Sequence, residues 1–387
     1  MSVIIKRVPE IGDAMIDTPN GYRFVGSDAT SEFFGDNPIA GVVFYVRGRN
    51  GLLTPGDIGT YKWSDVADFE ITKIPDASGT LAVTLQGVAV GDFEYTRTEG
   101  TLEEFVLQLN LWLATNAAKW EAYMYNGRAY LQLSDYTAYS STNTITGCTL
   151  VKLIGSELAS ETVASNSNHA RQFTIYNGIC RQRLEEWAKN NAAKENNPTT
   201  RMNGTTQLFS TFPVSQTYFD GELGDGLREN FATYQDYLDA CMLLPFELNR
   251  GIMQYRDGKK NTERLIAKRL LKRGEEICPY TAALKAAEYD SGVEGYRAGD
   301  FWLPSIHELS LMMRDITTGT SIGNDIVNAQ LARAGKNTIS STTNRWSSSR
   351  YNTNNAWNAN NNGISNNNNF YNGWRVAPVS ELILMLW

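Results

Sequence analysis

The chain has 387 residues, 42% of them hydrophobic and 20% charged, enough for two or three domains with ordinary cores. Its net charge of −7 and pI of about 5.1 argue against a general nucleic-acid role, because phosphate binding needs a basic field. Four dispersed cysteines (Cys148, Cys180, Cys241 and Cys278) form no CxxC pair and read as free thiols, and with only two histidines, His169 and His307, little is left for a zinc site or a histidine relay.

Met1 to Arg7 has neither an apolar secretory core nor a small-residue cleavage site. No stretch approaches the roughly 18 apolar residues of a membrane span, so neither a cleaved leader nor membrane insertion is expected. Residues 1–40 are rich in Gly, Asp and Pro and read as an irregular arm or assembly contact. Gly41 to Val46 is β-branched and aromatic and predicts a strand, followed by a turn at Arg49-Asn50-Gly51 and a second short strand through Leu52 and Leu53.

Residues 65–165 read as a small α+β unit. Leu81, Val83 and Leu85 alternate, as do Phe93 and Tyr95. Thr101 and Glu104 form a capping box for a helix carrying Leu102, Phe105, Leu109 and Trp112. Trp120–Tyr125 and Ala129–Leu133 flank Asn126-Gly127, the pair that suits a type I′ hairpin turn. Ser- and Thr-rich residues 134–146 predict a loop, and Thr149–Ile154 a further strand.

Residues 166–387 then form the principal domain. A polar loop is expected over 185–210, and helices over Leu227–Leu244, Thr262–Arg273 and Tyr280–Tyr289. The second of these is basic (Arg264, Lys268, Arg269, Lys272, Arg273) and reads as a solvated face rather than a polyanion site. Ser305 and Glu308 form another capping box after Pro304, with Ile306, Leu309, Met312 or Met313, and Ile316 on one helical face and His307 read as a packed or surface residue.

From Ser341 to Trp374 the composition changes abruptly, and half of Tyr351–Trp374 is asparagine. Asparagine is depleted in regular structure, tolerates left-handed backbone and offers two donors and two acceptor lone pairs. Trp346, Trp357 and Trp374 punctuate the run, and tryptophans favour burial. The run ends in Arg375-Val376-Ala377-Pro378-Val379 and then Leu382-Ile383-Leu384, a strand and an apolar segment that a disordered tail would lack. From Ser341 to Gly373 every residue except tryptophan could arise from an asparagine codon by replacing its two leading adenines; Lys, Glu, Gln and Met lie outside that set and are absent there.

Trp346-Ser347-Ser348-Ser349, Ala356-Trp357, Gly363 and Arg375-Val376-x-Pro378-Val379 resemble the variable region of proteins diversified by diversity-generating retroelements. Phe301-Trp302-Leu303-Pro304-Ser305-x-x-Glu308-Leu309 resembles that family's Trp-x-Leu-Pro-Ser segment, Gly258-Lys259-Lys260-Asn261-Thr262 its Gly-Lys-x-Asn-Thr segment, and Gly41–Leu53 its first strand and hairpin. The likeness covers 245–387 well and 38–63 weakly. It departs from the family at Arg345, where an aromatic is common, and at Ala377, where a second arginine is common.

The resemblance implies an α+β fold: a C-type lectin-like, formylglycine-generating-enzyme-like domain with its first strands in 41–64 and its remainder in 166–387, interrupted by the inserted 65–165 unit, with a variable region at 341–379. It implies variable, ligand-binding positions at Asn344, Ser349, Arg350, Asn352, Asn354, Asn355, Asn358, Asn360, Asn361, Asn362, Asn366, Asn367, Asn368, Asn369, Tyr371 and Asn372 on one exposed face. Tyr351, Phe370 and Tyr371 are candidate aromatic anchors. Trp346, Trp357, Gly363, Trp374 and Arg375 are the expected framework. No catalytic residue, cofactor or metal is expected, since the tract lacks carboxylates and any calcium signature.

Members of this family on phages sit at tail-fibre tips, often as trimers, beside other virion tail proteins, and choose a bacterial surface receptor, protein or glycan. Without a leader, export by release in a virion is the expected route. The alternatives are a structural virion protein, a bacterial surface-displayed variable protein, and an enzyme on the same scaffold. The last would need reactive cysteines near the C-terminal core, and none follows Cys278.

Overall fold

The computed structural model describes residues 9–26, 34–47, 50–134, 136, 142–154, 220, 228, 232–234, 257–313, 325–339, 343–350, 354–360 and 363–382. They form a mixed α+β structure rich in strands. The expected helix Leu227–Leu244 and loop 185–210 lie outside them, save for Arg228 and 232–234.

The first strands are β1 (Ala14–Thr18), β2 (Gly21–Val25), β3 (Ile39–Arg47) and β4 (Asn50–Thr54). The expected strand–turn–strand at 41–53 is present as β3 and β4. The irregular-arm reading of 1–40 is corrected: β1 and β2 make a hairpin, and β1 pairs antiparallel with β3. Ala14, Met15 and Ile16 are buried on both faces of the strand, so a short apolar run in polar company proved enough to nucleate pairing. A short β5 (Gly59–Lys62) follows.

The inserted unit contains β6 (Ala67–Lys73), β7 (Gly79–Leu85), β8 (Val88–Tyr95), α1 (Leu102–Asn116), β9 (Trp120–Tyr125), β10 (Arg128–Leu133), β11 (Thr144–Ile145) and β12 (Thr149–Lys152). It builds two sheets, ordered β12-β6-β10-β9 and β11-β7-β8. Its local signals hold. The Thr101 hydroxyl accepts from the Glu104 N–H at 3.2 Å. The Glu104 carboxylate in turn accepts from the backbone of Thr98, Glu99 and Gly100, and these bonds hold it below its usual pKa against the opposing effect of desolvation. Asn126 and Gly127 have φ of 51° and 73°, the left-handed pair a type I′ turn requires.

The principal domain continues with α2 (Gly258–Ala267), β13 (Leu270–Lys272), β14 (Glu275–Ile277), α3 (Thr281–Ala287), α4 (Ile306–Met313) and α5 (Asp325–Arg333). The expected helix Thr262–Arg273 is corrected: it starts at Gly258, ends at Ala267 and gives way to a β13–β14 hairpin. Arg273 (φ 52°) and Gly274 (φ 82°) form its turn. The basic residues are thereby divided between helix and hairpin, and Arg269 faces Glu276 at 3.8 Å, so no single basic face exists.

The last strands are β15 (Arg345–Arg350), β16 (Asn355–Asn360), β17 (Gly363–Asn369), β18 (Gly373–Val376) and β19 (Ser380–Glu381). Two five-stranded sheets result, β19-β4-β3-β1-β2 and β17-β16-β15-β18-β5. The asparagine tract is thus the body of the second sheet. Each sheet holds strands from both ends of the chain, through β4·β19 and β5·β18. One apolar cluster covers β1–β3, α4, α5, Trp357 and Ala359. A second runs unbroken from the inserted unit through Trp63 to Trp346, Ala356 and Phe370.

At the start of α4 the capping box closes as expected. Glu308 N–H donates to Ser305 Oγ at 3.2 Å, and Ser305 N–H donates to Glu308 Oε2 at 2.7 Å. Burial pushes the Glu308 carboxyl up to about 8 from 4.5, with Asp257 adding to the rise and the Ser305 and Trp302 hydrogen bonds opposing it. The native state therefore keeps a proton that the unfolded chain releases. The stabilisation is full below pH 4.5 and is lost as pH rises through about 8. The melting temperature of the wild type relative to Glu308→Gln should therefore fall between about pH 5 and about pH 9, as measured by thermal unfolding in matched buffers. A pH-independent difference would refute the assignment.

Candidate functional site

Three motifs distant in sequence meet behind the asparagine sheet. On α2, Asn261 Nδ2 donates to Ser348 Oγ at 3.1 Å, and Thr262 Oγ1 accepts from the Leu303 N–H at 3.0 Å. Ser348 N–H donates to Pro304 O at 2.8 Å, and Ile306 N–H donates to Ser349 Oγ at 3.0 Å. Trp302 Nε1 reaches Glu308 Oε2 at 3.3 Å. A Cβ on Gly258 would collide with that carboxylate and lie 2.5 Å from Ser305 N, so α2 can approach α4 this closely only with glycine there. Small hydroxyls at 347–349 suit the seam because each pairs with backbone or amide in a space no larger side chain would enter.

A second set of contacts comes from residues 57–64. Asp57 accepts from Arg345 Nε at 2.8 Å and Nη2 at 2.7 Å, with both side chains fully buried. Burial lifts the Asp57 carboxyl above its ordinary value, and the Arg345 bonds and charge, with Arg375, oppose that rise. Arg375 adds a longer contact at 3.6 Å. Trp63 Nε1 donates to Ser347 O at 2.9 Å, and Trp346 Nε1 donates to Tyr61 O at 2.9 Å. Trp63 stacks on Phe370 at 4.2 Å while its own N–H bonds Phe370 O.

The expected framework thus stands for Trp346 and Trp357, which are 0% and 2% exposed. Arg375 anchors on Asp57, Gly363 opens β17, and Trp374 is half-buried, its indole N–H without a hydrogen-bond partner among the described residues. The single exposed face is corrected in part. Ser349, Arg350, Asn358 and Phe370 are buried. β15 and β16 are interior strands of the sheet, covered by α4 on one side and by the Trp63 cluster on the other, so alternation along them exchanges one buried face for another. Asn358 is fully buried with neither amide atom hydrogen-bonded among the described residues. Phe370 is a core ring rather than a ligand anchor.

Asn344 is half-buried at one end of β15, and Asn354, Asn355, Asn368, Asn369, Tyr371 and Asn372 form a half-buried margin at the β16–β17 end of the sheet and its following turn. Asn369 Nδ2 donates to the Tyr371 hydroxyl at 3.2 Å, and Asn372 Nδ2 to Asn368 Oδ1 at 3.3 Å, so the turn between β17 and β18 is bound by its own amides. Tyr351, Asn352, Asn361 and Asn362 lie outside the described residues, as do the side chains of Asn360, Asn366 and Asn367.

The inserted unit contributes a neighbour that sequence reasoning missed. Lys152, the last residue of β12, donates to Asn354 Oδ1 and lies 5.7 Å from the Phe370 ring centre. Burial, then the Arg350 charge, pulls its pKa down to about 7. Tyr136 meets Tyr371 edge-to-face at 5.2 Å. No local signal marks a lone lysine at a strand end for this role. The margin offers amides, a phenol and an ammonium, groups suited to polar recognition.

Among the described residues no cluster of His, Cys, Asp and Glu could hold a metal ion, and no helix is long and apolar enough to cross a membrane. Comparison of the chain with protein-family models, with curated proteins and with solved structures gives no match.

Two substitutions should move stability in opposite directions in chemical denaturation. Asp57→Asn strands a buried guanidinium and is expected to cost about 3–5 kcal/mol. Asn358→Leu, near-isosteric, removes two unpaired polar atoms and is expected to stabilise by about 1 kcal/mol or more. A mild Asp57→Asn or a destabilising Asn358→Leu would contradict the burial described.

Proposed function

We propose that the chain is a non-enzymatic receptor-binding protein of the kind diversified by a retroelement, with a C-type lectin-like principal domain. The observation that carries this reading is that an asparagine-dominated tract is ordered as a sheet. Trp346, Trp357, Arg345 and Arg350 are buried, while Asn354, Asn355, Asn368, Asn369, Tyr371 and Asn372 stay half-buried at the β16–β17 end of the sheet and in the turn that follows it. A polar, uncharged margin on a fixed rear can change its side chains, and so its ligand, without unfolding the domain. The convergence of the Gly258–Thr262, Trp302–Glu308 and Trp346–Ser349 segments on one seam supports the family resemblance, since each motif has its partner in another.

The same reading places the protein on a virion, at a tail-fibre tip, as a homotrimer attached to other tail proteins, with a bacterial surface protein or glycan as receptor. Multivalency would strengthen weak single-site binding. It involves neither nucleic acid nor membrane insertion. Burial takes Ser349, Arg350, Asn358 and Phe370 out of the contact set; among the described residues the half-buried candidates are Asn344, Asn354, Asn355, Asn368, Asn369, Tyr371 and Asn372.

Sequencing the DNA that flanks the gene tests the proposal. A reverse transcriptase gene and a near-copy of the 341–379 coding region, differing from it only where the copy has adenine, are expected. Absence of both sinks the reading.

A further inference from the structure

Away from the asparagine margin, a cleft of about 440 Å³ opens at the β5 edge of the same sheet, lined by Pro55, Asp57, Ile58, Tyr61, Lys285, Glu288, Tyr289 and the turn Gly335–Asn337. The strand order sets β5 and β17 at opposite edges. None of the lining residues belongs to the 341–379 tract, and the tract residues that hold the lining in place, Arg345, Trp346 and Arg375, are not among the expected variable positions.

The walls are fixed. Asn337 Nδ2 donates to Asp57 O at 2.9 Å. A Cβ on Gly56, whose φ is +86°, would collide with Asn337 O, so the 335–337 turn sits directly against the 56–57 backbone. Tyr61 folds over Gly59, where a Cβ would lie 2.8 Å from its hydroxyl. Opposite, Tyr289 is held edge-to-face on Phe301 at 4.9 Å.

The lining carries two carboxylates and two lysines, but both carboxylates are already paired without Lys336. Lys285 pairs with Glu288 at 2.7 Å. Asp57 is taken by Arg345 and Arg375. Lys336 has neither an ion pair nor a side-chain hydrogen bond among the described residues, and burial alone disfavours its ammonium form. A half-buried cation in a cleft whose carboxylates are already engaged is matched by an anion supplied from outside. Two phenols and the Asn337 amide add hydrogen-bonding groups, Pro55 and Ile58 add apolar surface, and the volume lies in the small-ligand range of about 300–1,000 Å³.

We propose that this cleft binds a small anionic carbohydrate unit, a sugar acid or a sugar phosphate, with its charge on Lys336 and its ring against Tyr61. The test is isothermal titration of the full chain with glucuronic acid, glucose 6-phosphate and, as the neutral control, glucose. At least one anionic sugar should bind about tenfold or more tighter than glucose. Whichever anion binds tighter identifies the source as carboxylate or phosphate. Lys336→Gln should weaken that binding by about tenfold with its melting temperature unchanged, and Lys336→Arg should retain it. Failure of both anions to exceed glucose, or full binding by a folded Lys336→Gln, overturns the proposal. Should Lys336→Gln not fold, loss of binding on raising salt in the wild type takes its place, and salt-insensitive binding overturns it equally.

Discussion

The Asp57–Arg345 pair is the constraint on which the domain turns. Two opposite charges withdrawn from water lose several kcal/mol of hydration each, and mutual attraction repays this only with close geometry and full hydrogen bonding. Both conditions hold here, with a bidentate contact and the third guanidinium nitrogen, Nη1, donating to Thr343 O at 3.1 Å. The pair exists only when a residue from the first strands meets one near the C-terminus, 288 positions later. A chain that misplaces either segment leaves a charge buried and unmatched, which costs several kcal/mol. The indoles of Trp63 and Trp346, each donating across the same seam to the other's segment, fix the register that the ion pair selects.

That rear attachment explains how a tract so poor in apolar residues folds at all. Among the described residues between Arg345 and Val376, the buried apolar ones are few: Trp346, Ala356, Trp357, Ala359, Phe370 and Val376. They fall in both clusters, so the sheet is gripped on two faces. The asparagines do not build the core; they occupy what the core leaves. Where the sheet interior reaches an asparagine, as at Asn358, the cost of an unsatisfied amide is borne by the packing around it.

Legibility in the sequence follows the range of the interaction. Signals written within a few residues came through: the Thr101–Glu104 and Ser305–Glu308 boxes, the Asn126-Gly127 turn, the strands at 41–53 and the burial of Trp346 and Trp357. Features settled by distant partners did not. The β1–β2 hairpin is a short apolar run whose strand character comes from pairing with β3. Leu270–Ile277 carries helix formers, yet the left-handed pair Arg273-Gly274 decides for a hairpin, and Arg-Gly is a weaker signal than Asn-Gly. Burial of Ser349 and Arg350 depends on β15 lying inside a sheet, which alternation along the strand cannot reveal.

The 65–165 unit is legible in the sequence as an inserted α+β domain, and its local elements are self-consistent. Trp63 stands just before β6, takes Tyr280 edge-on at 5.0 Å, stacks on Phe370, and belongs to the cluster that also contains Phe69, Tyr95 and Phe105. One ring therefore joins the insertion to the back of the asparagine sheet, while Lys152 and Tyr136 join it to the margin. An insertion that only hung from its linkers would leave the margin's shape to the tract alone. Here the wall beside Asn354 and Tyr371 is made of residues outside the tract, so changes within the tract alter a surface whose border stays in place.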